Sequence, residues 1–174
     1  SGLRPKLHAD QITQMGATIL ASQVGAISAD HLETIHDEGI AAMKSAGSIA
    51  VLLPGCSFYL GVDQAPARRI LDADLPVALA TDYNPGSSMV ESLPLVMGIA
   101  CAQMNMTPTE ALVAATANAA AAIGRHDRLG AMAVGMQADL VVLDVPNHLR
   151  LCYELGRNCT RAVVKAGKVV DHRG

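Results

Sequence analysis

Short apolar runs alternate with stretches whose apolar residues recur at helical spacing. Residues 24–28, 48–53 and 77–80 are apolar runs too short for helices, which suits strands buried on both faces. A fourth strand-like segment, residues 5–7, stands near the start. Between these runs, Ile12, Met15, Ile19 and Leu20 repeat at helical spacing up to Gln23. Ile35, Ile40 and Met43 do the same within residues 33–46, and Gly47 supplies the stop. Residues 56–64 read as a longer loop, and Pro66 opens a helix to Ala73. Residues 88–105 read as a long helical region that Pro94 kinks or splits. Thr107-Pro108-Thr109-Glu110 carries a capping threonine, a first-turn proline and a capping-box glutamate; an alanine-rich helix follows to Ile123 and ends at Gly124. The last part changes character. Residues 139–144, 161–165 and 168–171 read as strands, the last two joined by Ala166-Gly167 in a tight hairpin. The pattern predicts an α/β fold of about four β-α units followed by a small β-rich segment.

Composition sharpens this only a little. Half of the 174 residues are hydrophobic but only 2% are aromatic, so Ala, Val, Leu and Met must fill the core. That suits helices on a parallel sheet. A net charge of −3 without charge runs speaks against a nucleic-acid partner. No apolar run reaches membrane-spanning length, and no signal peptide is visible. Cys56, Cys101, Cys152 and Cys159 lack a CxxC spacing, which suits free thiols of a reducing, cytoplasmic compartment better than a disulfide frame or a zinc cluster. The chain starts without Met and reaches a strand almost at once, as if it began inside a domain.

Three of the four short strands end in ionisable side chains: His8, His31 and Asp82. Taken singly, each reads as readily as a surface residue or a turn cap. Taken together they carry more, because strand ends of a closed parallel barrel converge on one mouth whatever their sequence separation. An imidazole and a carboxylate there can share a divalent ion, which lowers the pKa of a bound water. A carboxylate beside it can take and return the proton. His36, His126, His148 and His172 stand in helix or loop contexts, and Asp139 and Asp144 flank a tail strand. The residues alone therefore point to a metal-assisted hydrolase and give no substrate.

Four segments occur in a telling order: Lys6-Leu-His-Ala-Asp-Gln11, Ser28-Ala-Asp-His-Leu32, Val51-Leu-Leu-Pro-Gly55 and Ala80-Thr-Asp-Tyr-Asn-Pro-Gly-Ser87. Together they resemble the imidazolonepropionases of the amidohydrolase superfamily, and Gly135-Met-Gln-Ala-Asp-Leu-Val-Val-Leu143 is similar to that superfamily's small β domain. The resemblance implies hydrolysis of the cyclic amide 4-imidazolone-5-propanoate to N-formimidoyl-L-glutamate in histidine degradation, with one zinc or iron ion, divalent or trivalent. It implies His8 and Asp82 as metal ligands, Asp82 also as proton shuttle, and His31 as the residue that positions the water. Gln11, Asn84, Gly86 and Ser87 match positions that meet the substrate. Gln11 stands where the family carries Glu or Gln, and a Gln cannot exchange protons.

The family's first half carries a His-x-His pair, and none occurs here. The resemblance therefore implies the second half of a metal-dependent (β/α)8 barrel, strands five to eight, over residues 1–128, and part of a small composite β domain over residues 129–174. It implies the N-terminal half of the same protein as a partner, a homodimer, and little activity for the piece alone. Two other readings stay open at this level: another amidohydrolase or deaminase of the same scaffold, and a non-catalytic fragment whose polar strand ends only cap turns.

Overall fold

In the computed structural model, which describes residues 2–172, the chain alternates strand and helix through its larger part. The order is β1 (Lys6–Ala9), α1 (Ala17–Gln23), β2 (Ser28–His31), α2 (Asp37–Ala46), β3 (Ile49–Leu52), α3 (Pro54–Leu60), α4 (Ala67–Asp72) and β4 (Val77–Leu79). Three helices follow: α5 (Leu93–Gln103), α6 (Pro108–Ala115) and α7 (Ala117–Ala122). The tail comprises β5 (Leu140–Leu143), α8 (Arg150–Tyr153), β6 (Thr160–Lys165) and β7 (Lys168–His172). Strands β1 to β4 form one parallel sheet in sequence order, with His8 opposite Asp30, Asp30 opposite Val51, and Val51 opposite Ala78.

Side-chain alternation sends the two sheet faces into different cores. Leu7, Ala9, Ala29, Ala50, Leu52, Val77 and Leu79 join the larger cluster, with Ile40, Met43, Ile70 and Val96 from the helices. Ile49, Val51, Leu53 and Ala78 face the other way and pack with Ala119 and Ala122 of α7. Burial on both faces explains why β3 and β4 read as continuous apolar runs. At the β1 edge the second face carries Lys6 and His8 instead, and both are exposed.

The amino ends of the strands are closed. Lys6 Nζ donates to Ser28 Oγ at 2.8 Å and lies 3.5 Å from the carbonyl oxygen of Ala122 in α7. Asn118 Nδ2 donates to the carbonyl of Val77, the first residue of β4, at 2.8 Å.

Several boundaries differ from the sequence pattern, each for a local reason. Ile12 and Met15 are exposed in a connection, and α1 begins only at Ala17. The strand expected over residues 24–28 is β2, displaced towards the carboxyl end, because Gly25 turns at φ 67° after α1. The expected loop over residues 56–64 starts as helix α3, with Pro54 in its first turn. Pro94 neither kinks nor splits a long helix. It lies in the first turn of α5, whose Ser92 cap accepts from the Leu95 N–H. The alanine-rich helix breaks at Thr116, where ψ is −87°, into α6 and α7. The capping box of α6 forms as read from the sequence, and Arg68 of α4 adds two bonds to its Glu110, at 2.8 and 3.1 Å.

The tail strands form an antiparallel meander, β5-β6-β7. Ala166 and Gly167 turn the last hairpin with φ of 49° and 78°, the signs a type I′ turn needs. Helix α8 packs on α5 at Gly98, where a methyl group would meet Leu155 Cδ2 at 2.1 Å. The expected division at residues 128–129 falls in the connection between α7 and β5. No described helix is long and apolar enough to cross a membrane.

Candidate active site at the carboxyl ends of the strands

The carboxyl ends of β1, β2 and β4 each leave the strand through a left-handed residue. Asp10 has φ 45°, His31 82°, Leu32 73° and Asp82 51°. Such conformations in non-glycine residues cost about 1–3 kcal/mol each and persist only where the surroundings fix them. Here they are fixed. Asp10, only 4% exposed, accepts bonds from the N–H groups of Met15, Ala17 and Thr18 and from the Thr18 hydroxyl at 2.7 Å. Burial works against its charge, but the Thr18 hydroxyl and the three N–H donors outweigh it and hold the carboxyl below its usual range. The carbonyl of Asp10 in turn accepts from the Thr34 N–H and hydroxyl, each at 2.8 Å. Asp10 is thus a structural clasp between the ends of β1 and β2 and the start of α1.

That clasp sets the two histidines side by side. The rings of His8 and His31 have centroids 4.9 Å apart at 40°. His8 is exposed, whereas the His31 side chain is 3% exposed and its Nδ1 has no hydrogen-bond partner. Glu33 Oε1 is 3.7 Å from that Nδ1 and accepts from the Ser57 hydroxyl at 2.8 Å. The second oxygen of Glu33, also buried, has no partner.

Asp82 opens a stapled loop. Asn84 and Ser88 exchange both backbone bonds, at 2.9 and 3.3 Å, and the buried Ser88 hydroxyl donates to the Thr81 carbonyl. The Asn84 side chain holds the interior of the loop. Its oxygen accepts from the N–H groups of Gly86 and Ser87, at 2.8 and 2.9 Å. Its nitrogen donates to the Asp82 carbonyl at 2.7 Å and lies 3.3 Å from the Asp82 carboxylate. The polar groups of Asn84, Gly86 and Ser87 are therefore bonded largely to one another, and their visible effect is to fix Asp82.

Two further residues reach this mouth that the sequence pattern did not single out, Cys56 and Glu33. Helix α3 starts directly after β3, which brings Cys56 and Ser57 to the carboxyl end of the sheet. Gly55 permits it, since a methyl group there would meet Val90 at 3.2 Å. The signal was present: a proline right after a buried strand starts a helix as readily as it starts a loop. Donor atoms of His31, Cys56 and Asp82 all lie within 4.8 Å of one another. Gln11 points its amide at Cys56 Sγ from 3.8 Å. Burial pushes the Cys56 thiol up, the Ser87 hydroxyl opposes this, and the Asp82 and Glu33 charges add to it. The structure thus brings His8, Gln11, His31, Asp82 and Ser87 to one mouth. Nitrogen, sulfur and oxygen donors beside an unpartnered buried imidazole nitrogen suit a borderline divalent cation. A groove of about 720 Å³ between α4 and the end of α5 lies apart from these groups; its charged lining is already paired, Arg68 with Asp72 and Arg69 with Asp37.

The sequence profile of the amidohydrolase family matches residues 8–170. The chain belongs to this family. Its relatives include the imidazolonepropionase of Geobacillus kaustophilus strain HTA426, 55% identical over all 174 residues but over only 41% of that protein. That of Rubrobacter xylanophilus is 48% identical over 95% of the chain and 40% of its own length. The chain spans about two fifths of the length of these curated relatives. An adenosine deaminase from Xanthomonas campestris, solved with bound zinc, superposes with a TM-score of 0.84 at 24% identity, over 96% of this chain and 45% of that one. A 5-methylcytosine deaminase from Klebsiella pneumoniae does so at 0.81 and 16%, over 99% and 49%. At these identities the solved structures speak for the amidohydrolase α/β fold alone.

Proposed function

We propose that this amidohydrolase chain is the metal-binding half of an imidazolonepropionase. It supplies strands five to eight of the (β/α)8 barrel through residues 1–128 and part of the small β domain through residues 129–174. The observation that carries the reading is the 55% identity to an imidazolonepropionase along the whole chain. The mouth supports it, because the residues expected to act stand together there. His8 lies exposed on the open face beside β1, where an N-terminal barrel half would cover it.

In this reading His8 and Asp82 hold one zinc or iron ion, completed by ligands of the N-terminal half. The bound ion supplies Lewis acidity to the water and to the ring carbonyl. Asp82 takes a proton from the water that attacks the carbonyl carbon. It returns that proton to the ring nitrogen as the C–N bond breaks, so the ring opens with one water consumed. His31, buried and with a free nitrogen, orients that water. Gln11 contributes a hydrogen bond to the ring and no proton. The loop of Asn84, Gly86 and Ser87 forms the wall at the propanoate end and keeps Asp82 in place. The reaction belongs to histidine degradation in the cytoplasm, and the assembled protein is a homodimer.

The test is complementation. Mixed with the N-terminal half of an imidazolonepropionase, the chain restores conversion of 4-imidazolone-5-propanoate to N-formimidoyl-L-glutamate. A folded complex that binds metal without turning over this substrate contradicts the reading.

A further inference from the structure

We propose that Glu33 is a positioning residue for the hydrolysis: its carboxylate holds the Nδ1–H of His31, so that Nε2 presents a lone pair to the attacking water. The inference rests on the reading above for the identity of the reaction, not for the geometry. Two unmet groups lie side by side. His31 Nδ1 and Glu33 Oε2 are buried without hydrogen-bond partners. Their side chains are only 3% and 6% exposed, and Nδ1 lies 3.7 Å from Glu33 Oε1. An N–H···O bond spans about 2.7–3.2 Å, so the pair stands just outside reach. A small shift of either side chain closes that gap and gives the buried nitrogen its partner, where leaving it unpaired is costly. The backbone favours the approach. His31 and Leu32 are both left-handed, with φ of 82° and 73°, so the chain turns back directly after β2. The Leu32 N–H bonds the Ala9 carbonyl at 3.2 Å, and the Thr34 N–H bonds the Asp10 carbonyl at 2.8 Å. Glu33 is therefore held between two residues tied to the end of β1, while the Ser57 hydroxyl fixes its Oε1 from α3 at 2.8 Å.

The tautomer matters because a neutral imidazole donates at one nitrogen and accepts at the other, and the bond made by one sets the state of its partner. The two nitrogens point away from each other, so turning Nδ1 to Glu33 leaves Nε2 for the mouth. Nε2 then accepts a hydrogen bond from the water and leaves the oxygen lone pair free to attack the carbonyl carbon. With the proton on Nε2 instead, the ring donates to that oxygen and occupies the lone pair. A glutamate that only braced Ser57 would serve equally well as glutamine, and this separates the two roles.

The experiment is a long-range proton–nitrogen correlation of the histidine rings in the complemented, zinc-loaded protein, with nitrogen-15 histidine in this chain alone. Protonated and lone-pair ring nitrogens resonate far apart, and His31 is assigned by its absence from the spectrum of His31→Asn. A proton on Nδ1 is the expected result. A lone pair on Nδ1 overturns the proposal, whichever substrate the protein takes, and this arm needs no substitution at Glu33. The kinetic arm is Glu33→Gln, which keeps the size of the side chain and an oxygen for Ser57. Its kcat is expected to fall about 10–100-fold, with KM and the thermal midpoint unchanged. A parental kcat, or a loss carried by KM alone, overturns the proposal. A parent protein that does not turn over 4-imidazolone-5-propanoate contradicts the reading of function instead, and the tautomer then decides the role of Glu33 alone.

Discussion

The two ends of the parallel sheet treat polar groups in opposite ways. At the amino ends, Lys6 bonds Ser28 and approaches Ala122, and Asn118 satisfies the first carbonyl of β4. Alternation there is regular, and α7 closes the face. At the carboxyl ends, His31 Nδ1 and Glu33 Oε2 are buried without partners, and Asp10, His31, Leu32 and Asp82 adopt left-handed backbone. The third such buried atom, Gln64 Oε1, belongs to an amide already bonded to Pro54 and Gln103. Asp74, just before β4, is left-handed too, but among the described residues unmet polar capacity and strained backbone coincide only at the carboxyl ends. A sheet needs neither for stability, so their concentration is what favours the carboxyl ends as the candidate site.

If that contrast is right, substitutions at the mouth reduce turnover more than stability, and those at the closed end do the reverse. The largest effect expected among them is that of His31→Ala in the complemented protein. Turnover falls about 10²–10⁴-fold in protein that circular dichroism shows folded at the assay temperature, although the emptied imidazole volume lowers the thermal midpoint. Near-parental turnover removes His31 from the working end. Asn118→Ala acts the other way, leaving the Val77 carbonyl without its donor at a cost of about 1–3 kcal/mol. Urea denaturation measures it, with turnover unchanged at saturating substrate. Loss of activity without loss of stability would blur the two ends.

Thr18→Val lies between them and has a smaller effect, about 1 kcal/mol near neutral pH. It removes the shortest of the bonds that hold the Asp10 carboxyl below its ordinary value of 3.8. A depressed folded pKa stabilises above the unfolded value and ceases to do so as pH falls through the folded one. The parent therefore keeps this contribution above about pH 4 and loses it in stronger acid. In Thr18→Val the folded pKa rises towards the ordinary value, so the acid-unfolding midpoint moves to higher pH. An unchanged acid limb means Asp10 is not the clasp.

Much of this was legible in the sequence because it rests on period and punctuation. The apolar runs gave β3 and β4, Thr107 to Glu110 gave the start of α6, and Ala166-Gly167 gave the hairpin. His8, His31 and Asp82 were visible as polar residues at strand ends. Other features depend on tertiary capture, which no period records. Ile12 and Met15 fit a helix by spacing, yet Asp10 takes the Met15 N–H and the chain runs through bends until Ala17. Asn84 reads in the sequence as a group for a substrate, and the structure adds that its amide closes its own loop. Cys56 was missed because nothing local links it to His31; the start of α3 immediately after β3 brings it there. Glu33, two residues after His31, reads in the sequence as the start of a helix.

The most direct test of the account is the turnover of Asp82→Asn in the chain complemented with its N-terminal half. The exchange keeps the size of the side chain and removes its ability to take a proton. The account predicts a fall in kcat of at least about 10³-fold with folding intact. Turnover of 4-imidazolone-5-propanoate near the parental rate would contradict it.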